Sequence, residues 1–242
     1  MTTPSPSSDP SHPAPALPAW PLPLAAGLLP MAATLLALVM SMRLELIPAC
    51  NPFIEGCVSI SRAARHELPN HLFRALVLPA AALQALTWVL MAPWLRGLGE
   101  SGRGVRSLLP LGLLAGAALA LYVSFLGTEG AVYRLLRQYG TVVYFGFTCI
   151  NMLVAGGAIA RAASAGRLAV PWGLHHALIV MGGALVLLGL GNAVLSAALQ
   201  DPAKDIVQNV TEWWGGAIFV AVFLVLAAIW RRCGLRLQVG GP

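Results

Sequence analysis

The sequence predicts an all-α fold, a polytopic membrane helix bundle with six transmembrane helices and both termini cytoplasmic. Of its 242 residues, 58% are hydrophobic and 10% are charged, and the mean hydropathy is +0.77. Soluble domains, by comparison, carry about 25% charged residues. A helix needs about 20 apolar residues to cross a bilayer core, and the chain contains six such windows. In order, they are Leu22–Met42, Ala75–Leu95, Leu108–Leu126, Tyr139–Ala160, Leu174–Leu199 and Trp213–Trp230.

The windows divide the chain into a Pro/Ser-rich tail at residues 1–20, a six-helix transmembrane domain at 21–232 and a short cytoplasmic tail at 233–242. The first 20 residues contain six prolines and neither Lys nor Arg. This composition is typical of disorder, and a secretory signal peptide would begin with basic residues. We therefore expect a disordered first tail and a first helix that is retained.

The charged residues between the windows predict the orientation, because Lys and Arg in short loops favour the cytoplasmic side. Three alternating regions share one face, called the inner face. They carry Arg96, Arg103 and Arg106; Arg161 and Arg167; and Arg231, Arg232 and Arg236. The opposite, outer face holds seven of the nine acidic residues, and its first loop, Arg43 to Arg74, is the longest. The expected location is a bacterial inner membrane or a eukaryotic plasma membrane or endomembrane.

Cys50 and Cys57 stand at the two ends of the segment CNPFIEGC in the first outer loop. In an oxidising compartment they can form a disulfide, which would stabilise the fold by about 2.5 kcal/mol on the chain-entropy model. Two unpaired thiols are the alternative. Cys149 lies inside the fourth window and Cys233 follows the last one.

The interiors of the windows contain few polar groups and many glycines. No Asp, Glu, Lys or Arg lies at the centre of any window, which argues against a proton-coupled transporter or a voltage sensor, since both need buried charge. Small residues let membrane helices approach closely, so we expect the glycines to mark packing faces. They are Gly112 and Gly116 in the third window and Gly182, Gly183, Gly189 and Gly191 in the fifth.

Neither a nucleic-acid partner, nor a metal, nor any other cofactor is expected. The net charge of +6 comes from basic residues dispersed over many loops, without the clustered stripe of a nucleic-acid site. The adjacent His175 and His176 point about 100° apart on a helix and cannot chelate one metal as an i, i+4 pair would. His71 and His175 lie at opposite membrane faces, which excludes a shared haem.

Known catalytic motifs are also missing in a suitable context. One enzymatic alternative remains, a membrane-embedded lipid acyl hydrolase or transferase that uses Ser59 or Ser61 with His66 or His71. Such a serine needs an adjacent base and an oxyanion hole. A small-solute channel or transporter is less favoured, because no inverted repeat is visible.

Three stretches together are similar to one family of six-helix membrane proteins. The first reads CVSIS from Cys57 to Ser61 and is followed by PNHLFR, which ends at Arg74; the second runs from Arg137-Gln138 to Asn151; the third is TEWW, with Glu212 and Trp213. They resemble the FGF-receptor-activating-protein-like family, which includes the damage-regulated autophagy modulators and the GPI-anchor lipid remodelling factor. Val58 stands where that family usually has proline, and Arg137 where it has histidine.

The resemblance implies a bundle that handles or senses membrane lipid, and it adds Asn151 to the candidate residues. The predicted topology places the other candidates together at the outer boundary, where Arg74 or Arg137 could pair with Glu212 and paired tryptophans suit headgroup depth. The candidate lipid site therefore comprises Ser59, Ser61, Arg74, Arg137, Gln138, Asn151, Glu212 and Trp213. We expect a protein that binds, senses or helps remodel membrane lipid, and a membrane-protein partner or a second copy of the chain is a further partner class.

Overall fold

The computed structural model describes residues 16–238, and six long helices dominate this part of the chain. They are α1 (Pro21–Arg43), α3 (Glu67–Gly97), α4 (Arg103–Ser124), α5 (Ala131–Ser164), α6 (Trp172–Ala198) and α7 (Ala203–Arg232), and α2 (Ile60–Ala63) is a short helix in the first outer loop. All six long helices have the length and composition to cross a membrane. The predicted all-α polytopic bundle is confirmed.

Three helices extend well beyond their predicted windows at the outer face, and the first is α3, which begins at Glu67 instead of Ala75. Helix α5 begins at Ala131 instead of Tyr139, and α7 begins at Ala203 instead of Trp213. The 34 residues of α5 span about 50 Å at 1.5 Å per residue, whereas the hydrocarbon core is about 30 Å thick. The polar ends of these helices therefore stand at and above the outer membrane boundary, where polar side chains are tolerated.

The six long helices pack as a ring in chain order, with each helix against the next and α7 against α1. Close approach depends on glycine at several contacts. A Cβ at Gly116 of α4 would lie 2.7 Å from the Ala85 Cβ of α3, and one at Gly27 of α1 would lie 3.1 Å from the Val220 carbonyl oxygen of α7. The predicted packing role of the Gly112-Gly116 pair is thus confirmed.

Large aromatic side chains fill the inner half of the ring. Trp88 of α3 meets Phe223 of α7 at a ring-centroid distance of 5.8 Å, and Trp94 meets Trp230 at 6.1 Å. These rings belong to a continuous apolar core that also includes residues of α4, α5 and α6. The inner half is consequently closed by packing.

The two ends of the described chain pair with each other at the inner face. Strand β1 (Ala16–Pro18) lies antiparallel to β2 (Arg236–Gln238). Both ends therefore share one face, as the topology predicted. The expectation of a disordered tail through residue 20 does not hold for Ala16–Pro18, because β2 supplies hydrogen-bond partners for that segment; residues 1–15 lie outside the described part.

An ion-pair cluster joins two loops of the inner face. The Glu100 carboxylate lies 2.7 Å from Arg167 Nη2 and 3.0 Å from Arg161 Nη2, and Arg167 also donates to the Leu98 carbonyl. The Arg167 guanidinium, followed by that of Arg161, holds the pKa of Glu100 below its ordinary value although burial opposes them. The α3–α4 and α5–α6 loops thus lie together, as their arginines predicted.

Candidate functional site

A cavity of about 1150 Å³ occupies the outer half of the ring. Its walls are apolar for most of their depth, and every long helix contributes to them. From α1 to α7, representative wall residues are Met31, Val77, Leu119, Phe145, Leu185 and Phe219. The aromatic core of the inner half lies beneath the cavity, so the cavity has a floor and an outer mouth.

Glycines without packing partners mark the level at which neighbouring helices of the ring are apart. In the inner half, Cβ atoms at Gly156 of α5 and Gly182 of α6 would contact Leu178 and Leu153 of the facing helix. In the outer half, a Cβ at Gly146, Gly189 or Gly215 would meet no atom within 4 Å, and all three line the cavity. Helices α5 and α6 therefore touch at the inner side and separate toward the outer side.

This finding corrects one expectation about the fifth transmembrane helix. Gly182 packs as predicted, but Gly183, Gly189 and Gly191 have open space around them. The packing prediction is wrong for these three. Gly183 points about 100° away from its neighbour Gly182 on the helix, and Gly189 and Gly191 lie where α5 and α6 have diverged. Gly189 forms cavity wall instead of helix contact.

Polar side chains surround the outer mouth of the cavity. Five of the eight candidate residues lie in its lining: Ser61, Arg137, Gln138, Glu212 and Trp213. Lining residues that the sequence did not single out include Arg65, Tyr122, Arg134 and Gln208. The mouth is thus charged and hydrogen-bonding, whereas the walls below it are apolar.

The first outer loop forms a roof over this mouth and is fastened to α7. A disulfide joins Cys50 to Cys57, as the first of the two alternatives predicted. Asn209 Nδ2 donates to the Gly56 carbonyl at 2.7 Å, and Trp214 Nε1 donates to the Phe53 carbonyl at 3.1 Å. Gly56 has φ +61°, a conformation that favours glycine. The tryptophan pair thus has a structural role in holding the loop.

Glu212 also binds the roof, and this overturns the predicted ion pair. Its Oε1 accepts a hydrogen bond from the Ser61 backbone N–H at 3.2 Å. Among residues 16–238 it has no salt bridge with Arg74 or Arg137. The backbone N–H of Ser61, in the first turn of α2, is therefore the partner of the Glu212 carboxylate in place of the expected arginine side chain.

Arg137 is engaged elsewhere, at the C-terminal end of α4. Its Nη1 donates to the Phe125 carbonyl at 3.0 Å and to the Thr128 carbonyl. The last carbonyls of a helix lack partners within the helix, and a cation there is favoured by the helix dipole. Arg137 is therefore held in place at the mouth of the cavity by α4.

The remaining three candidates lie outside the cavity lining. Ser59 caps α2 by accepting from the Arg62 N–H at 3.1 Å, and its hydroxyl lies 3.1 Å from that of Ser61. Arg74 is half-buried on α3. Asn151 is 0% exposed and its Nδ2 donates to the Leu108 carbonyl at 3.2 Å. Asn151 thus joins α5 to α4 in the inner half, away from the mouth.

A second, polar cavity of about 650 Å³ adjoins the mouth. It is bordered by Arg65, Arg134 and Arg137, which also line the large cavity, and by His66 and Glu129. Three arginines therefore stand at the junction of the two cavities. One signal in the sequence could have revealed Arg134, because it lies one helical turn before Arg137 on the polar end of α5.

The described residues show neither a paired serine and histidine nor a metal-ligand cluster at this mouth. Neither Ser59 nor Ser61 donates to or accepts from a histidine in the described part of the chain, and a serine nucleophile requires such a base. Within residues 16–238, no group of three or more His, Cys, Asp or Glu is arranged to hold a metal ion. An apolar chamber with a charged rim can hold a molecule with an apolar body and a polar head.

No protein-family model matches this chain, and neither a curated protein nor a solved structure matches it significantly. The family resemblance noted from the sequence stays a prediction.

Proposed function

We propose that this multi-pass membrane protein binds a membrane lipid in its outer cavity, with the hydrocarbon chains between α5, α6 and α7 and the headgroup at the mouth. The observation that carries the proposal is the division of the cavity lining into apolar walls and a charged rim at the outer boundary. A membrane lipid has the same division at the same depth. The resemblance to a family that handles lipid supports the same reading.

The size and position of the cavity agree with a lipid ligand. Pockets for drug-sized ligands measure about 300–1,000 Å³, and this cavity, at about 1150 Å³, exceeds that range. Exposed wall residues such as Gly146 on α5 and Val186 on α6 border it on the membrane side. A lipid can therefore enter sideways from the bilayer.

The closed inner half supports binding over conduction. Trp88, Phe223 and Trp230 fill the ring below the cavity, so the described residues contain a chamber with a floor. A binding, sensing or remodelling role is compatible with a chamber of this kind, whereas a solute channel requires a continuous path. The Cys50–Cys57 disulfide also supports a non-cytoplasmic outer face, because disulfides persist in oxidising compartments.

Filling the cavity tests the proposal. We expect Gly189→Phe to lower the amount of lipid that remains bound after detergent purification, as counted by native mass spectrometry, because the new ring would occupy the chamber. Gly183→Phe is the matched control, since Gly183 lies on the same helix, also has open space around it and does not line the cavity. Ala217→Phe on α7 is a second filling variant. Equal lipid retention in wild type and both filling variants would contradict the proposal.

A further inference from the structure

We propose that the bound lipid carries a phosphate and that Arg65, Arg134 and Arg137 hold it. This inference rests on the proposed lipid binding in the outer cavity. The three arginines come from two segments, the link between α2 and α3 and the first turns of α5, and all three border both the apolar cavity and the adjoining polar one. A headgroup whose chains lie in the large cavity would meet them at the junction.

The three guanidinium groups retain many hydrogen-bond donors. Each guanidinium has five N–H donors in a planar fork. Among the described residues, the guanidinium groups of Arg65 and Arg134 donate no hydrogen bond, and that of Arg137 uses only Nη1, on the Phe125 and Thr128 carbonyls. Its Nε and Nη2 remain available while α4 fixes the side chain. The guanidinium fork matches the oxygens of a phosphate, so these donors suit that group.

The local charge also matches a phosphodiester. The acidic residues that line the two cavities are Glu212 and Glu129, and neither lies within salt-bridge distance of the three arginines in the described chain. Basic residues thus outnumber acidic ones in this lining, and an excess of cations suits the negative charge of a lipid phosphodiester. Tyr122, which also lines the large cavity, supplies a further hydroxyl group at the rim.

Interfacial arginines also contact bulk headgroups by extending toward the membrane surface. Two observations separate these arginines from that ordinary case. Arg137 is bound to the end of α4 and cannot extend freely, and the cluster is continuous with an apolar chamber. Arg43, at the outer end of α1, is exposed, as Arg65 and Arg134 are, but it lines neither cavity, which makes it the ordinary interfacial arginine for comparison.

Binding of lipids with matched chains tests the inference. The purified, delipidated full chain is titrated with phosphatidylglycerol, phosphatidylcholine and diacylglycerol in detergent. We expect both phospholipids to bind about tenfold more tightly than diacylglycerol, since charge-assisted hydrogen bonds to the phosphate are lost in the latter. The Arg65→Gln/Arg134→Gln double variant retains Arg137, so it should lose most, but not all, of the preference for phosphatidylglycerol over diacylglycerol. Arg43→Gln should behave as wild type.

The double variant breaks no hydrogen bond between described residues, so it should fold, and its unchanged diacylglycerol affinity would verify this. Equal affinity of wild type for phosphatidylglycerol and diacylglycerol, or unchanged phosphatidylglycerol affinity in the double variant, would overturn the phosphate inference and leave lipid binding intact. If wild type binds none of the three lipids, both proposals fail. If soluble glycerol phosphate binds as tightly as phosphatidylglycerol, the site takes a free phosphate ester and the lipid source is wrong.

Discussion

The Trp213 indole Nε1 donates a hydrogen bond to the Val58 backbone carbonyl 2.8 Å away, and both residues are buried. This bond joins α7 to the roof one residue beyond the disulfide. Asn209 and Trp214 make parallel bonds from the same end of α7. The roof is therefore fastened to the helix that forms one wall of the cavity, and the position of the mouth depends on these contacts.

Removing the Trp213 donor should destabilise the protein. Trp213→Phe retains a ring but leaves the buried Val58 carbonyl without its partner, which costs about 1–3 kcal/mol. We expect a lower midpoint of thermal unfolding in detergent. Trp214→Phe is the matched control, because Trp214 is 49% exposed and water can replace its bond. Equal shifts in the two variants would contradict the special role of Trp213.

The disulfide makes a prediction about thiol counts. Denatured but unreduced protein should react with maleimide at two thiols, Cys149 and Cys233, and at four after reduction. A Cys50→Ala/Cys57→Ala variant should lose about 2.5 kcal/mol of stability on the chain-entropy model, whereas Cys233→Ala should not show this loss. Four reactive thiols before reduction would show that the loop is not cross-linked.

The inner ion-pair cluster predicts a pH dependence. The pKa of Glu100 is lowered in the folded state, chiefly by Arg167. Its contribution is therefore present above the unfolded pKa of about 4.3 and is lost as pH falls through the lower folded value. Glu100→Gln should reduce stability near neutral pH by about 1 kcal/mol, since both arginines are partly exposed.

The difference between wild type and Glu100→Gln should shrink as the pH falls below that of the unfolded carboxyl group. Thermal unfolding in detergent at several pH values from neutral to acid measures it. Glu45→Gln, on an exposed outer residue without an ion pair in the described chain, should leave the pH profile unchanged. A constant difference between wild type and Glu100→Gln at every pH would contradict the assignment.

The helix count and topology were accessible from sequence because hydropathy accumulates over some 20 residues. Because successive loops alternate between the two membrane faces, the Arg96–Arg106 and Arg161–Arg167 loops were expected on one face. The Glu100 ion pairs, which join these two loops, confirm that expectation. The helix ends were not accessible, since charged and polar residues interrupt the apolar sequence in the first turns of α5 and α7 while the helix itself continues. Those turns carry much of the mouth.

Contacts between helices could not be predicted from the identity of single residues. Gly116 and Gly189 give the same signal in sequence, yet one packs against Ala85 and the other borders open space. Which role a glycine takes depends on where neighbouring helices diverge. Arg137 was likewise expected to pair with Glu212, but the Phe125 and Thr128 carbonyls, which follow the end of α4, lie closer along the chain and accept its hydrogen bonds.

The most direct test of the central claim is photo-crosslinking of the protein in a bilayer that contains phosphatidylglycerol with a diazirine on its acyl chain. With the label located to single residues, we expect the labelled positions to include cavity walls such as Phe145, Leu185 and Phe219, and we expect Gly189→Phe to abolish that labelling. Leu187, 71% exposed and outside the cavity, reports bulk lipid and should be labelled in both proteins. Labelling confined to such surface residues, unchanged by Gly189→Phe, would contradict a lipid site in the outer cavity.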